Sequence, residues 1–223
     1  MDEALREVTS RMARIRGKVP LPEHAVRERL LAVTTELFAR KGYAATTTRE
    51  IVTAAGVTKP VLYYYFRNKE GIFLELMQRA SQQLEAVVDA SLLASGSSQQ
   101  RLLHLCDRVL GLIVEKIEVV RLIYAIYYGP SQGAPFFDVD AVYQKLFDTL
   151  RQMVVDGIRK GELRKEDPED MTWAVLGAIH VTMENELSHP ERELGQKGLR
   201  RILTLIFGGI SAGKGKRRKG ERT

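Results

Sequence analysis

The sequence predicts an all-α fold, with an N-terminal three-helix helix-turn-helix domain followed by a larger helical bundle. Apolar residues recur at helical spacing along most of the chain, and no segment shows the sustained alternation of apolar and polar residues that is typical of strands. Glycine and proline stand where such helices would end or begin. The 223 residues, 44% of them hydrophobic, are enough for one large domain or two modest ones.

The first predicted helix spans residues 26–41. Its apolar residues follow the spacing i, i+4, i+7, i+11 from Val26 to Leu37, which places them on one face. Two basic residues and then Gly42 follow, and this combination is typical of a helix C-terminus.

Two short helices are predicted over residues 48–55 and 58–65. A threonine precedes each of them as a candidate N-cap, Gly56 ends the first, and Pro60 falls in the first turn of the second, where its missing N–H costs little. Because the turn between them is so short, the two helices must cross at a large angle. This arrangement is the signature of a helix-turn-helix.

The rest of the chain predicts about six further helices. Cys106 lies on an apolar stripe of one of them and is interpreted as a small core residue. The predicted segments are a long helix from Lys69, one after the loop 94–100, one in 118–129, one from 139 to about 161, one over 169–187 and one near 195–207.

The charge of the chain is unevenly distributed. The net charge is +2 for residues 1–20, +3 for residues 21–80, −4 for residues 81–213 and +5 for residues 214–223. This asymmetry favours an anionic partner for the N-terminal part, most simply nucleic acid, although a charge of this size can also serve solubility alone.

Several classes of protein are disfavoured by the sequence. No apolar run is long enough to span a bilayer, the first 20 residues lack the apolar stretch of a secretory signal, and the lone cysteine cannot form an internal disulfide, so a cytoplasmic location is expected. No catalytic motif is present and the four histidines are scattered, so we expect no enzyme activity. His180 and Glu184 stand at i, i+4, but two ligands alone make a metal site improbable, and neither metal nor cofactor is expected.

The stretch TKPVLYYYF, residues 58–66, indicates what the helix-turn-helix would bind. Helical spacing turns Leu62 and Phe66 inward and places Lys59 and Tyr63 together on the opposite side. A helix N-terminus, phenolic hydroxyls and a lysine suit phosphate oxygens and base edges in the major groove of DNA.

Residues 26–77 resemble the DNA-binding domain of the TetR family. The shared motifs are a first helix ending in LF-x-x-x-G, then T-x-x-x-I-x-x-x-A-G-V, then L-Y-x-Y-F-x-x-K-E. The resemblance implies phosphate contacts by Thr48, Tyr63, Tyr65 and Lys69, and base contacts by Arg49, Lys59, Val61 and Tyr64. Thr47 and Thr58 complete the predicted DNA-binding set. Periodicity alone turns Tyr65 inward, so its hydroxyl is expected to extend from a packed ring.

The resemblance also implies a domain organisation. It consists of a flexible basic extension (1–22), a helix-turn-helix DNA-binding domain (23–70), a ligand-binding and dimerisation domain (71–210) and a disordered basic tail (211–223). The expected function is that of a ligand-responsive regulator, a homodimer that binds double-stranded DNA at an operator and does not bind membranes. A small, mainly apolar molecule would release it as a repressor. The alternatives are an activator of the same family or a helical interaction bundle that does not bind DNA.

Two further sets of residues are predicted in the larger part of the chain. The ligand pocket is expected from aromatic and nearby polar side chains, each of which can also be read as a plain core or interface residue: Tyr124, Tyr127, Tyr128, Phe137, Met153, Trp173, His180 and Glu184. The dimer interface is expected from the apolar stripes of the last two helices: Ile179, Met183, Leu187, Leu199, Leu203 and Ile206.

Overall fold

The computed structural model describes residues 22–129 and 133–210. Over these ranges the protein has nine α-helices, one short 3₁₀-helix and no β-strand, which confirms the predicted all-α class. The helices are α1 Glu23–Lys41, α2 Thr48–Ala55, α3 Lys59–Phe66, α4 Lys69–Leu92, α5 Ser98–Glu115, α6 Ile117–Tyr127, α7 Val139–Arg159, α8 Pro168–Ser188, the 3₁₀-helix Pro190–Arg192 and α9 Gly195–Ile210.

The chain divides into two compact units. Of the described residues, the first unit comprises 22–82, 116–129 and 133–138, and the second comprises 83–115 and 139–210. The division falls within α4, so that helix contributes to both units. The predicted basic extension before Pro22 and the predicted tail from residue 211 lie outside the described residues. The predicted boundaries of the functional domains stay a prediction.

The core of the first unit is built around α1. Leu30, Leu37 and Phe38 of α1 are fully buried and pack with Ile51 of α2 and Leu62 of α3. The start of α4 closes this core, and α6 packs against α1 and adds Leu122 to it. The three N-terminal helices are therefore held by a core that extends beyond the helix-turn-helix itself.

The core of the second unit is formed by α5, α7, α8, α9 and the second part of α4. Cys106 is completely buried there, and burial raises the pKa of its thiol to about 12, which confirms its interpretation as a core residue.

Asp167 caps α8 by accepting hydrogen bonds from the backbone N–H groups of Glu169 and Asp170, with Pro168 in the first turn, as the sequence predicts. No helix among the described residues is long and apolar enough to cross a membrane.

Burial in this core corrects part of the predicted dimer interface. Ile179, Leu199 and Leu203 are buried inside the second unit, at 0–3% exposure. A side chain that packs within its own subunit cannot present a surface to another. The helical stripes were read correctly, but they are the faces that α8 and α9 turn towards their own core.

Candidate nucleic-acid interface

The start of α2 is fixed by a capping box. The Thr47 hydroxyl accepts a hydrogen bond from the Glu50 backbone N–H at 3.3 Å, and the Glu50 carboxylate accepts from the Thr47 backbone N–H at 2.8 Å. Lys41, at the end of α1, donates to the other Glu50 oxygen at 2.5 Å and lowers the pKa of that carboxyl. The first turn of α2 is thereby tied to α1, with Thr48 half-buried and Arg49 exposed.

The turn between α2 and α3 depends on Gly56. Its φ of 64° and ψ of 37° lie in the left-handed region, which costs glycine nothing and most other residues about 1–2 kcal/mol. The N–H of Gly56 and that of Val57 return to the last carbonyls of α2, at Thr53 and Val52. Only three residues separate the end of α2 at Ala55 from the start of α3 at Lys59.

Helix α3 has one buried side and one exposed side. Leu62 and Phe66 are buried in the core, whereas Lys59, Tyr63 and Tyr64 are exposed, the two tyrosines at 48% and 71%. Thr58 occupies the N-cap with an extended backbone, and its side chain makes no capping hydrogen bond. The helix therefore presents a lysine and two phenolic rings to solvent, as the sequence predicts.

The other predicted contacts surround this exposed side. Thr47, Arg49 and Thr58 are exposed, while Thr48, Val61, Tyr65 and Lys69 are half-buried. The structure therefore brings all ten predicted DNA-binding residues into one unit, at the starts of α2 and α4 and along α3.

The last turn of α3 is joined to the first turn of α1. The Tyr64 hydroxyl donates to the Glu23 carboxylate at 2.9 Å, and the Tyr65 hydroxyl donates to the Glu23 backbone carbonyl at 3.1 Å. The hydrogen bond from Tyr64 to Glu23 raises the pKa of the Tyr64 phenol. These two tyrosines line an open groove of about 730 Å³ with Glu23, His24 and Arg27. Tyr65 has the packed ring and outward hydroxyl that the sequence predicts, but Glu23 was missed because it lies 41 residues away in sequence.

Lys69 has an internal role that sequence reasoning missed. Its ammonium donates to the backbone carbonyls of Tyr43 and Thr46 at 2.9 and 3.0 Å and lies 4.0 Å from the centre of the Tyr43 ring. Burial lowers the pKa of this lysine. An ammonium has three N–H donors, so one remains for the predicted phosphate contact.

An ion-pair cluster links α1 to α4. Arg27 contacts Glu75 at 2.7 Å, and Arg79 contacts both Glu75 at 2.8 Å and Glu28 at 2.7 Å. The hydrogen bond from Arg79 lowers the pKa of Glu28. Of these ion pairs, only Glu75–Arg79 could be predicted from the sequence, because its residues stand at i, i+4 on one helix. The cluster fixes the end of α1 that carries Glu23.

The predicted ligand residues fall into separate groups. Tyr124, Tyr127 and Tyr128 form an aromatic cluster at the end of α6, with ring centroids 4.9 and 5.1 Å apart, and Phe137 packs against the core of the same unit. In the second unit, Met153 is buried in the core and Trp173 is half-exposed against Phe147, so Met153 is placed as a core residue. His180 and Glu184 are exposed on α8, and no cluster of three or more metal-binding side chains occurs within the described ranges.

Comparison with known proteins places this geometry in a family. A sequence model described as "Bacterial regulatory proteins, tetR family" matches residues 30–76. The transcriptional activator FasR of Mycolicibacterium smegmatis is 34% identical over 104 residues, 47% of this chain and 48% of FasR. The transcriptional regulator QacR of Staphylococcus aureus is 46% identical over 52 residues, 23% of this chain and 28% of QacR. The crystal structure of PfmR from Thermus thermophilus, a TetR family regulator, matches with a TM-score of 0.66 and 23% identity, covering 80% of this chain and 96% of PfmR.

These matches cover different shares of the chain. The chain aligns with about half of FasR and a smaller part of QacR, whereas the match to PfmR extends over both units and shows a shared fold. The fold and the exposed side of α3 define a helix-turn-helix protein. Residues 30–76 match the TetR family of bacterial regulatory proteins, and the described residues share the fold of a TetR family regulator.

Proposed function

We propose that this protein is a sequence-specific DNA-binding regulator that inserts α3 into the major groove of an operator. The observation that carries the proposal is the two-sided character of α3, which buries Leu62 and Phe66 and exposes Lys59 and Tyr63 at i, i+4. Phenolic hydroxyls and helix N-termini bond phosphate oxygens, while side chains on the exposed face reach base edges.

The roles proposed for the individual residues follow from their positions. Thr48, Tyr63, Tyr65 and the remaining donor of Lys69 would contact phosphates and set the orientation of the protein on the duplex. Arg49, Lys59, Val61 and Tyr64 would reach base edges and carry sequence preference. Thr47 and Thr58, at the N-caps of α2 and α3, would lie beside the sugar-phosphate backbone.

We propose that the protein acts as a homodimer through α8 and α9. These helices pack together and expose apolar side chains in addition to their buried stripes: Trp173 at 49%, Val181 at 56% and Leu205 at 77%. Exposed apolar side chains that form one contiguous patch mark an interaction surface, and we propose that these three contribute to such a patch. The half-buried Met183, Leu187 and Ile206 would border this interface, and twofold symmetry would present two α3 helices to half-sites about 34 Å apart.

We further propose control by a small, mainly apolar molecule bound within the larger helical part. The aromatic cluster of Tyr124, Tyr127 and Tyr128 supports an apolar ligand, and a ligand can shift DNA binding only by its differential affinity for two conformations. Release of the operator on ligand binding would make the protein a repressor in the cytoplasm. The similarity to FasR, which is an activator, favours transcriptional activation as a second candidate.

The proposal is tested by selecting fragments of the native genome on the full-length protein. A DNA-binding regulator should enrich a few fragments that share a twofold-symmetric sequence, and the neighbouring genes would indicate the ligand. Enrichment of no fragment over a bead control, or recovery without a shared sequence, would contradict the proposal.

The effector is tested separately with the selected fragment. Purified protein is examined by native mass spectrometry for a retained small molecule, and that molecule is then titrated into the protein–DNA complex. Dissociation of the complex supports a repressor, whereas unchanged or tighter DNA binding contradicts ligand release.

A further inference from the structure

The hydroxyls of Tyr64 and Tyr65 converge on one residue of α1. The Tyr64 hydroxyl lies 2.9 Å from a carboxylate oxygen of Glu23, and the Tyr65 hydroxyl lies 3.1 Å from the Glu23 backbone carbonyl oxygen. The two rings meet edge to face, with centroids 5.0 Å apart. Glu23 and Tyr64 are exposed, so this cluster lies at the surface beside the side of α3 that the proposed function turns towards DNA.

The chemistry of the partners decides the direction of both hydrogen bonds. A carboxylate and a backbone carbonyl have no proton to give, so each phenol is the donor. A phenol has a single proton, and its oxygen can accept as well. The oxygen of Tyr64, on a side chain that is 71% exposed, is therefore left to face solvent as an acceptor. The hydrogen bond to Glu23 also raises the pKa of Tyr64, which keeps this proton on the phenol at neutral pH.

Glu23 is held in place by groups other than Tyr64. It stands in the first turn of α1, where the helix N-terminus favours a negative charge, and Tyr65 binds its backbone carbonyl. The ion pairs of Arg27 and Glu28 with α4 fix the turn that follows. The carboxylate can therefore direct the Tyr64 hydroxyl, while the Tyr65 hydroxyl can reach a phosphate only if it leaves the Glu23 carbonyl.

An oxygen that can only accept recognises a limited set of groups on DNA. Phosphate oxygens accept as well, so they gain nothing from it. In the major groove, adenine and cytosine present amino groups at N6 and N4, whereas guanine presents the acceptors N7 and O6 and thymine presents the acceptor O4. Such an oxygen distinguishes adenine and cytosine from guanine and thymine.

We propose that Glu23 is a positioning residue that accepts the Tyr64 hydrogen bond and so makes Tyr64 an acceptor for the amino group of an adenine or cytosine in the operator. This role rests on the proposed function and specifies what one of its residues reads. Without Glu23, the phenol could also turn its proton towards guanine or thymine, and the preference at that position would widen.

The test compares sequences selected from a random duplex library by full-length variants. Tyr64→Phe identifies the position that Tyr64 reads, because the base preference changes there. Glu23→Ala removes the acceptor for the phenol, whereas Glu23→Gln removes the same charge but keeps an acceptor oxygen. Tyr63→Phe, which removes another phenol from the same side of α3, is the matched control, and circular dichroism checks that each variant keeps its helices.

The unaltered protein should prefer adenine or cytosine at this position by about 3- to 10-fold, the effect of one hydrogen bond. Glu23→Ala should abolish this preference, whereas Glu23→Gln should retain it. Both variants remove one negative charge close to the phosphates, so general DNA affinity should rise alike in both. Base preference therefore separates the positioning role from the effect of charge. Tyr63→Phe should leave the preference at this position intact.

A second measurement tests the amino group itself. The selected duplex is prepared with the adenine or cytosine at this position replaced by the same base without its amino group. The unaltered protein should bind this duplex about 3- to 10-fold more weakly than the selected one, whereas Tyr64→Phe should bind both equally. Equal losses in the two proteins would show that Tyr64 does not bind the amino group.

The outcomes distinguish this role from the function on which it rests. If the unaltered protein selects no shared sequence, the proposed function fails. If it selects one, the role of Glu23 is overturned and the function stands when Tyr64→Phe changes no position, when guanine or thymine is preferred there, or when Glu23→Ala and Glu23→Gln act equally. A change in preference when Glu23→Ala is added to Tyr64→Phe would also overturn it, because Glu23 would then read the base itself.

Discussion

At the scale of single residues, the exposed side of α3 and the half-buried Lys69 illustrate two uses of polar groups. Tyr63 is half-exposed and faces solvent, so its hydroxyl is available to a ligand. The Lys69 ammonium is half-buried and donates to two backbone carbonyls of the α1–α2 loop. Tyr63 is expected to contribute to DNA binding, and Lys69 mainly to the stability of the first unit.

Replacing Tyr63 by phenylalanine should weaken operator binding without changing sequence preference. A hydrogen bond to a charged group contributes about 1.5–3 kcal/mol, so we expect Kd to rise about 10-fold or more on every DNA that binds. Fluorescence anisotropy with several related operators measures this. Tyr143→Phe, a tyrosine on α7 of the second unit, is the matched control and should leave Kd unchanged.

Replacing Lys69 by methionine should destabilise the first unit. The carbonyls of Tyr43 and Thr46 would lose a donor in a half-buried site, which costs about 1–3 kcal/mol. Urea unfolding should show a lower midpoint. Lys59→Met at the exposed start of α3 should change stability by less than about 0.5 kcal/mol, and a comparable loss in both variants would refute the internal role of Lys69.

At the scale of helices, local signals explain what could be predicted from the sequence. The end of α1, both ends of α2, the start of α3 and both ends of α8 follow from caps, glycines and prolines within a few residues of each boundary. The start of α1 at Glu23, three residues before the predicted start, and the end of α3 before Arg67, whose φ of 62° is unusual for a residue other than glycine, do not follow from such signals. The packing of α6 against α1 could not be predicted, because it joins residues far apart in sequence. For the same reason the contacts of Glu23 with Tyr64 and Tyr65 could not be predicted from the sequence.

The two faces of α8 show a second limit of prediction from sequence spacing. Apolar residues occur on several sides of this helix, and spacing alone does not say which side faces the protein's own core. The structure buries Val175 and Ile179 and exposes Trp173 and Val181. Three of the six residues predicted for the dimer interface therefore face the core of their own unit, and the interface itself stays a prediction.

The capping box of α2 gives a pH dependence of stability. Lys41 lowers the pKa of Glu50 below the value of about 4.3 expected in the unfolded chain. The charge on Glu50 therefore stabilises the fold above that pH, and this contribution is lost as the pH falls through the lowered pKa. Glu50→Gln keeps a capping side chain but removes the charge, so it should cost about 1 kcal/mol at pH 7.

Urea unfolding from pH 7 to pH 3 measures this effect. The stability difference between the native protein and Glu50→Gln should shrink as Glu50 becomes protonated. Glu184→Gln, at an exposed position on α8, is the control and should show little difference at any pH. A Glu50→Gln difference that stays constant down to pH 3 would contradict the role of its charge.

At the scale of the whole molecule, the proposed function depends on the proposed dimer as well as on α3. One recognition helix offers a small contact surface, and a twofold dimer doubles it across two half-sites. The exposed Trp173, Val181 and Leu205 are the groups through which we propose that two copies associate.

Replacing Val181 and Leu205 by glutamate should separate the dimer. Two charges buried at an apolar interface would oppose association, because an unpaired buried charge is strongly unfavourable. Sedimentation should show a monomer that keeps its helical circular dichroism and binds the operator at least 10-fold more weakly. Leu93→Glu, at another highly exposed leucine, is the control, and a variant that remains dimeric would rule out this interface.

The substitution Lys59→Ala is the sharpest test of whether α3 reads base edges in the major groove. Sequences are selected from a random duplex library with the native protein and with Lys59→Ala, and the preferred base at each position is compared. If α3 reads base edges, the variant should lose preference at one or two positions in each half-site and retain it elsewhere. An unchanged preference at every position, together with an unchanged Kd, would contradict the docking of α3.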